Sequence, residues 1–435
     1  MAKQSQSQKP GLVPSVKTTP TTENMANPFQ IAVPDTHLER LRKKLETAVF
    51  PDELDDAQWD MGVPLNEMKR LTAYWRDGFN WRRQEQDLND KLNQFLVPIA
   101  VAGFGELDIH CLHHVSSNPS AIPLLFIHGW PGSFLEAIKL IPLLTTGNND
   151  QPAFHLVAPS LPNFGFSSGV KQKGFGLVQY AEAMHAVMSA LGYDEYAIQG
   201  GDWGSILARV MAMRYPNHAK AIHLNMFPVA PPFPWRNPLL FLQSLLTIPF
   251  SSTDKAHLAV TKHYLTQGSG YMRQQETRPQ TLGYALQDSP VALLAWIYDK
   301  LHAWSDDYPW TDDEILTWVS IYQFSTAGPA ASIRIYYEAT RNDSSSTPPG
   351  LSTTEVLSTA APSCVKLAVA QFNRELIKTP LSWRGLLGSV VRANEYDCGG
   401  HFAAWEVPEL LAADLKGFLG KNGQAYGAVA GKDGH

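Results

Sequence analysis

Three short strings carry the residue types that could attack, stabilise and deprotonate. The first, IQGGDWGSILARV, sets Asp202 in small–x–Asp–x–small spacing, with Gly200, Gly201 and Gly204 around Asp202 and Trp203. Small residues there permit a sharp turn from a strand ending at Gly200 into a helix expected to begin near Ser205. Such a nucleophile elbow projects its central side chain above a sheet. The neighbouring helix N-terminus favours an anion. A carboxylate in that position is a nucleophile at neutral pH and needs no base to activate it. An Asp that merely caps the helix would leave the same local pattern.

The second string, FIHGWPGSFLEA, follows an apolar run at 123–127 and turns through His128, Gly129, Trp130 and Pro131. Ser133 and Glu136 have capping-box spacing for the next helix. An elbow needs one backbone N–H from the residue after the nucleophile and one from an earlier strand–helix loop. Those donors would be the N–H groups of Trp203 and Trp130. By itself HGWP is an ordinary βα loop; its place one βαβα stretch ahead of the elbow argues for the oxyanion role. The third string, CGGHFAAWEVPELLAADL, presents His401 after two glycines and before a helix. Elbow sites run nucleophile, acid, His along the chain. Glu375, just past the strand expected at 365–370, is the first candidate acid. Glu395 and Asp397 lie nearer His401, on or just after the strand leading to its loop.

These strings need a parallel sheet to hold them. LDIHCLHH from 107, then 123–127, 154–158, 196–200, 221–225, 365–370 and 390–396 read as strands, with helical stretches such as 177–192 and 206–216 between them. Strand and helix in alternation predict a mostly parallel sheet covered on both faces. Residues 28–105 read as mainly helical. Thr36 and Glu39 have capping-box spacing, Leu38, Leu41 and Leu45 recur at helical intervals, and Trp81, Leu88, Leu92 and Phe95 form a second stripe. Residues 226–238 hold five prolines and exclude a regular element. They open an aromatic, helix-rich insertion from 226 to 340 that divides the sheet-forming residues into 106–225 and 361–420. Residues 341–360 read as a polar linker, 1–27 as a disordered tail and 421–435 as a loose one.

Composition narrows the classes further. The chain has 435 residues, 44% hydrophobic and 17% charged, with a net charge of −6. That supports a large core and argues against binding nucleic acid. Cys111, Cys364 and Cys398 are three and widely spaced, so neither a disulfide framework nor a Cys zinc site is expected. His110, His113 and His114 sit close together, but strand alternation sends the last two to opposite faces, against a metal site. No G-x-G-x-x-G follows a strand and no P-loop is present. No run of 18 apolar residues exists, and the N-terminus lacks a signal-peptide core. A soluble protein is expected.

Taken together, HGWPGS, GGDWGS, Glu375 and His401 resemble the epoxide hydrolases of the α/β-hydrolase superfamily. The likeness is strongest to the microsomal-type branch, with its soluble fungal and juvenile-hormone-hydrolysing members, and covers roughly residues 28–420. FNWRRQEQDLND is similar to that family's N-terminal meander, which wraps a lid. The resemblance implies an α/β-hydrolase fold with the 226–340 insertion as a helical lid. It implies Asp202 as nucleophile, and His401 and Glu375 as base and acid. It also implies two lid tyrosines that donate to the epoxide oxygen. GSGYMRQQETRPQT matches the first at Tyr271 and IRIYYEATRN the second at Tyr336, with Tyr337 one residue away. The expected partners are a small apolar epoxide and water, with no cofactor or metal. A homodimer is suggested by likeness alone; detoxification and a dedicated biosynthetic step would look the same. Some members of the branch carry an N-terminal anchor; none is seen here, so cytoplasmic residence is expected. A haloalkane dehalogenase shares the Asp elbow followed by Trp, but would need halide-binding N–H donors in place of the tyrosines. A non-enzymatic ligand-binding protein on the same scaffold would ordinarily lose a catalytic member, and all positions are filled here.

Overall fold

The short apolar runs resolve into one nine-stranded sheet in the computed structural model, which describes residues 26–147, 150–341 and 351–435. The strands are β1 (Asn27–Pro28), β2 (Gln94–Val101), β3 (Gly105–His114), β4 (Ile122–Ile127), β5 (Phe154–Pro159), β6 (Tyr196–Gly200), β7 (Ala219–Leu224), β8 (Lys366–Gln371) and β9 (Val390–Glu395). Their order is β1-β2-β3-β5-β4-β6-β7-β8-β9. The pairs β1/β2, β2/β3 and β3/β5 are antiparallel, and every pair from β5 to β9 is parallel. Every residue of β4, β5 and β6 is buried. That is why these strands read as unbroken apolar runs, since a parallel sheet is covered on both faces. Helices Leu177–Ala190 and Asp202–Arg214 provide much of that cover and are themselves buried over most of their length.

The first hundred residues depart from the mainly helical expectation. Helices Asp35–Glu46, Leu65–Asp77 and Trp81–Lys91 form, but Phe95 belongs to β2 rather than to a helical stripe. QFLVPIAV does not alternate cleanly, and Pro98 argues against a central strand. Proline is tolerated there because β1 covers β2 only at Phe95 and Leu96, leaving the outer side unpaired at Pro98. The capping box at Thr36 and Glu39 does not form: the helix begins at Asp35 behind Pro34, with no side-chain cap. Leu41 and Leu45 nonetheless bury as the periodicity requires.

Between β7 and β8 lie helices Pro238–Thr247, Ser252–His263, Gly270–Thr277, Pro279–Asp288, Pro290–Trp304, Asp312–Gln323 and Arg334–Ala339. The N-terminal helices grip this insertion. Arg70 pairs with Asp312 at 2.5 Å, Tyr74 Oη donates to Asp313 at 2.8 Å, and Trp81 packs against Phe324. Residues 1–25 of the N-terminal tail and 342–350 of the linker lie outside the described residues; Asn27 is already in β1, and Thr353–Leu357 is a helical turn. The C-terminal segment is not loose. Gly434 O accepts from Ala153 N, Gly434 N donates to Ser120 O at 2.8 Å, and Ala425 and Val429 are buried.

Candidate active site

The parallel strands deliver four of the residues singled out above to one end of the sheet. Trp130 follows β4, Asp202 follows β6, Glu375 follows β8 and His401 follows β9. The carboxyl ends of parallel strands are where open α/β sheets bind ligands. Asp202 has φ 49°, the left-handed region, where a non-glycine residue costs about 1–3 kcal/mol and is held only by its surroundings. The helix starts at Asp202 itself rather than near Ser205, with Gly201 as its N-cap. A Cβ on Gly204 would fall on the Ile127 carbonyl oxygen, and one on Gly129 would fall on the Asp202 carboxylate. The two loops therefore meet at a distance only glycine allows. Asp202 does not cap its helix. Its Oδ1 accepts from Trp130 N at 2.7 Å, and its Oδ2 lies 3.4 Å from His401 Nε2. The side chain keeps 17% exposure.

On the other edge of the imidazole, His401 Nδ1 faces Glu375 Oε1 at 2.7 Å. Glu375 Oε1 also accepts from Leu376 N at 2.8 Å. A carboxylate on Nδ1 holds a proton there and aims Nε2 at Asp202. Burial pulls the His401 imidazolium down, but Glu375 and Asp202 outweigh it and hold its pKa well above the usual value. Glu395 and Asp397 are exposed and make no contact with His401, which leaves Glu375 as its partner. The His401 loop is clamped independently. Its N–H donates to Trp304 O at 2.9 Å, and the flanking N–H groups of Gly400 and Phe402 donate to Glu406.

The HGWP turn is pinned from several sides. His128 Nδ1 donates to Gly129 O and Nε2 accepts from Leu161 N, and burial lowers its pKa to about 4, so it stays neutral. Trp318 Nε1 donates to Pro131 O and Tyr322 Oη donates to Gly132 O, both at 2.5 Å. Ser133 is the N-cap of the following turn, as its spacing suggested, but its Oγ accepts from Leu135 N, and no full capping box with Glu136 forms.

Above Asp202 the insertion contributes Tyr271 and Tyr336, both buried, with ring centroids 6.0 Å apart. Trp130 stacks on Tyr271 at 5.3 Å, and Trp203 meets Tyr336 edge-on at 4.9 Å. Tyr271 Oη pairs with Tyr264 Oη at 2.8 Å, while Tyr336 Oη has no satisfied partner among the described residues. Burial, reinforced by Asp202 and the Tyr264 hydroxyl, raises both phenols well above their ordinary pKa. Tyr337, one residue on, lies against the Arg341 guanidinium instead.

Other candidates do not converge. His110 pairs with Ser160 and Gln94, His113 with Tyr193, and His114 accepts from Asn93 N; no metal-ligand cluster exists among the described residues. A cleft of about 560 Å³ beside Phe29, Arg40 and Phe324 holds none of the site residues. Sequence reasoning missed Tyr264, Trp304, Trp318 and Tyr322. Their helices were visible as aromatic-rich stretches, but nothing local says which rings face the turn.

Known proteins are similar to nearly the whole chain. The family described as "Epoxide hydrolase N terminus" matches residues 26–137, and the "alpha/beta hydrolase fold" family matches 122–246. Epoxide hydrolase 1 of Sus scrofa is 34% identical over 421 residues, covering 90% of this chain and 88% of that protein. The chain belongs to the epoxide hydrolase family. Juvenile hormone epoxide hydrolase 2 of Ctenocephalides felis is 35% identical, with 89% and 84% covered. The epoxide hydrolase structure from Aspergillus niger superposes with a TM-score of 0.75 at 30% identity, covering 90% of this chain and 94% of that one. Family membership makes the chain an enzyme of the hydrolase class, and the sheet with its helices is the α/β-hydrolase fold.

Proposed function

We propose that the protein hydrolyses an apolar epoxide to a vicinal diol through an ester on Asp202, with the 226–340 insertion as its lid. The observation that carries this reading is the placement of Asp202 between two sets of groups. The Trp130 N–H and the Glu375–His401 pair lie around its carboxylate, and two protonated tyrosines lie above it.

In the first step an Asp202 oxygen attacks an epoxide carbon. The C–O bond breaks, its electron pair goes to the ring oxygen, and Tyr271 and Tyr336 donate hydrogen bonds and then a proton to that oxygen. Phenols kept protonated by burial are suited to this task. In the second step His401 Nε2 takes a proton from water, whose oxygen adds to the Asp202 carboxyl carbon. The oxyanion formed there meets the N–H groups of Trp130 and Trp203. The ester bond then breaks, the diol oxygen takes the proton from His401, and the proton left on the Asp202 carboxyl returns to the tyrosinate, which regenerates both groups. Ester formation removes the Asp202 charge, which is one of the two charges that hold His401 protonated. The first step thereby prepares the base for the second. No step requires a metal or an organic cofactor.

The tyrosine pair also favours this reading over dehalogenation, since a leaving halide has no use for a proton donor. The decisive variant is His401→Gln mixed with excess styrene oxide. The variant's mass should rise by one substrate and stay raised, whereas wild type should clear the adduct. Normal turnover by the variant would remove His401 as the base.

A further inference from the structure

Glu136 is a carboxyl deep in the site that the two steps above do not use. Its Oε1 occupies the place a Cβ on Gly132 would take, against the turn whose Trp130 N–H holds Asp202. Charged and titratable groups face it from three directions: Asp202 from the elbow, His401 from the loop after β9, and Tyr322 from helix 312–323. The Ser133 backbone N–H lies beside it on its own element. The side chain is not fully buried and keeps accessible surface beside that turn.

We propose that Glu136 is a further catalytic residue of the hydrolytic step: a carboxyl oxygen accepts the second hydrogen of the water whose first hydrogen His401 takes. This rests on the reading of Asp202 as the ester-forming nucleophile. Attack on the ester needs the water's lone pair aimed at the Asp202 carboxyl carbon, and two acceptors fix a water better than one. Glu375 cannot be the second acceptor, because it lies on the Nδ1 side of His401. Charge supports the assignment. Burial, with Asp202 in the same sense, pushes the Glu136 carboxyl up to about 8, against the opposing pull of His401 and the Ser133 N–H. At neutral pH it is an uncharged acceptor and does not oppose the oxyanion forming on Asp202. Its own proton stays in place throughout the step.

The test separates the two half-reactions by stopped flow with styrene oxide. Glu136→Ala should alkylate at close to the wild-type rate, which also certifies its fold, and hydrolyse the ester about 100-fold more slowly. Glu136→Gln keeps an acceptor oxygen and should restore most of that loss at pH 7. Wild-type hydrolysis should slow above about pH 8, as Glu136 ionises, and the Gln variant should lack that alkaline limb. Ester hydrolysis at the wild-type rate in the Ala variant would overturn the proposal, as would an equal loss in both steps. Absence of any ester in wild type would be a different failure, striking the nucleophile reading itself.

Discussion

Tyr271 and Tyr336 show how a residue's role is set by its surroundings. Burial among aromatic rings raises both phenols above the ordinary value of about 10. A phenol whose pKa is raised stays protonated to higher pH, so acid assistance to ring opening should persist through at least pH 10. The alkylation rate, followed by quenched tryptophan fluorescence, should show no loss from phenol ionisation below that pH. Tyr271→Phe should slow alkylation by about 10²-fold, the lower end of what a positioned acid contributes. Tyr337→Phe, at the ring turned towards Arg341, should leave it unchanged.

At the scale of elements, the site depends on how closely β4 and β6 bring their two loops together. Gly204→Ala places a methyl on the Ile127 carbonyl and should destabilise the protein by about 1–3 kcal/mol, read as a lower urea midpoint. Trp318→Phe keeps the ring but removes the donor to Pro131 O, leaving a buried carbonyl short of a partner. That should cost about 1–3 kcal/mol. Because the freed turn carries the Trp130 N–H, ester hydrolysis should fall as well. The strand–turn–helix signals at Asp202 and His401 were legible because glycines write such turns locally. Strand β2 was not, because Pro98 is admitted only by the short reach of β1, a fact about its neighbour.

At the scale of the whole molecule, the N-terminal helices hold the insertion over the sheet, and their contacts differ in weight. Arg70 bridges Glu67 and Asp312 but is half exposed, so Arg70→Ala should change stability by about 1 kcal/mol at most. Glu85 is buried and accepts from Val33 N and Trp81 Nε1 while pairing with Arg82. Glu85→Ala should cost about 3 kcal/mol and shift the thermal midpoint accordingly. The same distinction explains what sequence reading reached. Asp202, Glu375, His401 and the HGWP turn lie just past sheet strands, so strand order alone brings them together. Tyr264, Trp318 and Tyr322 meet the site only through the packing of a long helical insertion. No local pattern states where that insertion comes to rest. Tyr271 and Tyr336 were reached by resemblance to a family, not by spacing.

The covalent ester on Asp202 is the central claim, and isotope transfer tests it most directly. With enzyme in excess over styrene oxide in ¹⁸O-water, a single turnover should place ¹⁸O in the peptide carrying Asp202 and leave the diol unlabelled. Label in the diol, with none in that peptide, would mean that water opens the ring directly and would contradict the account.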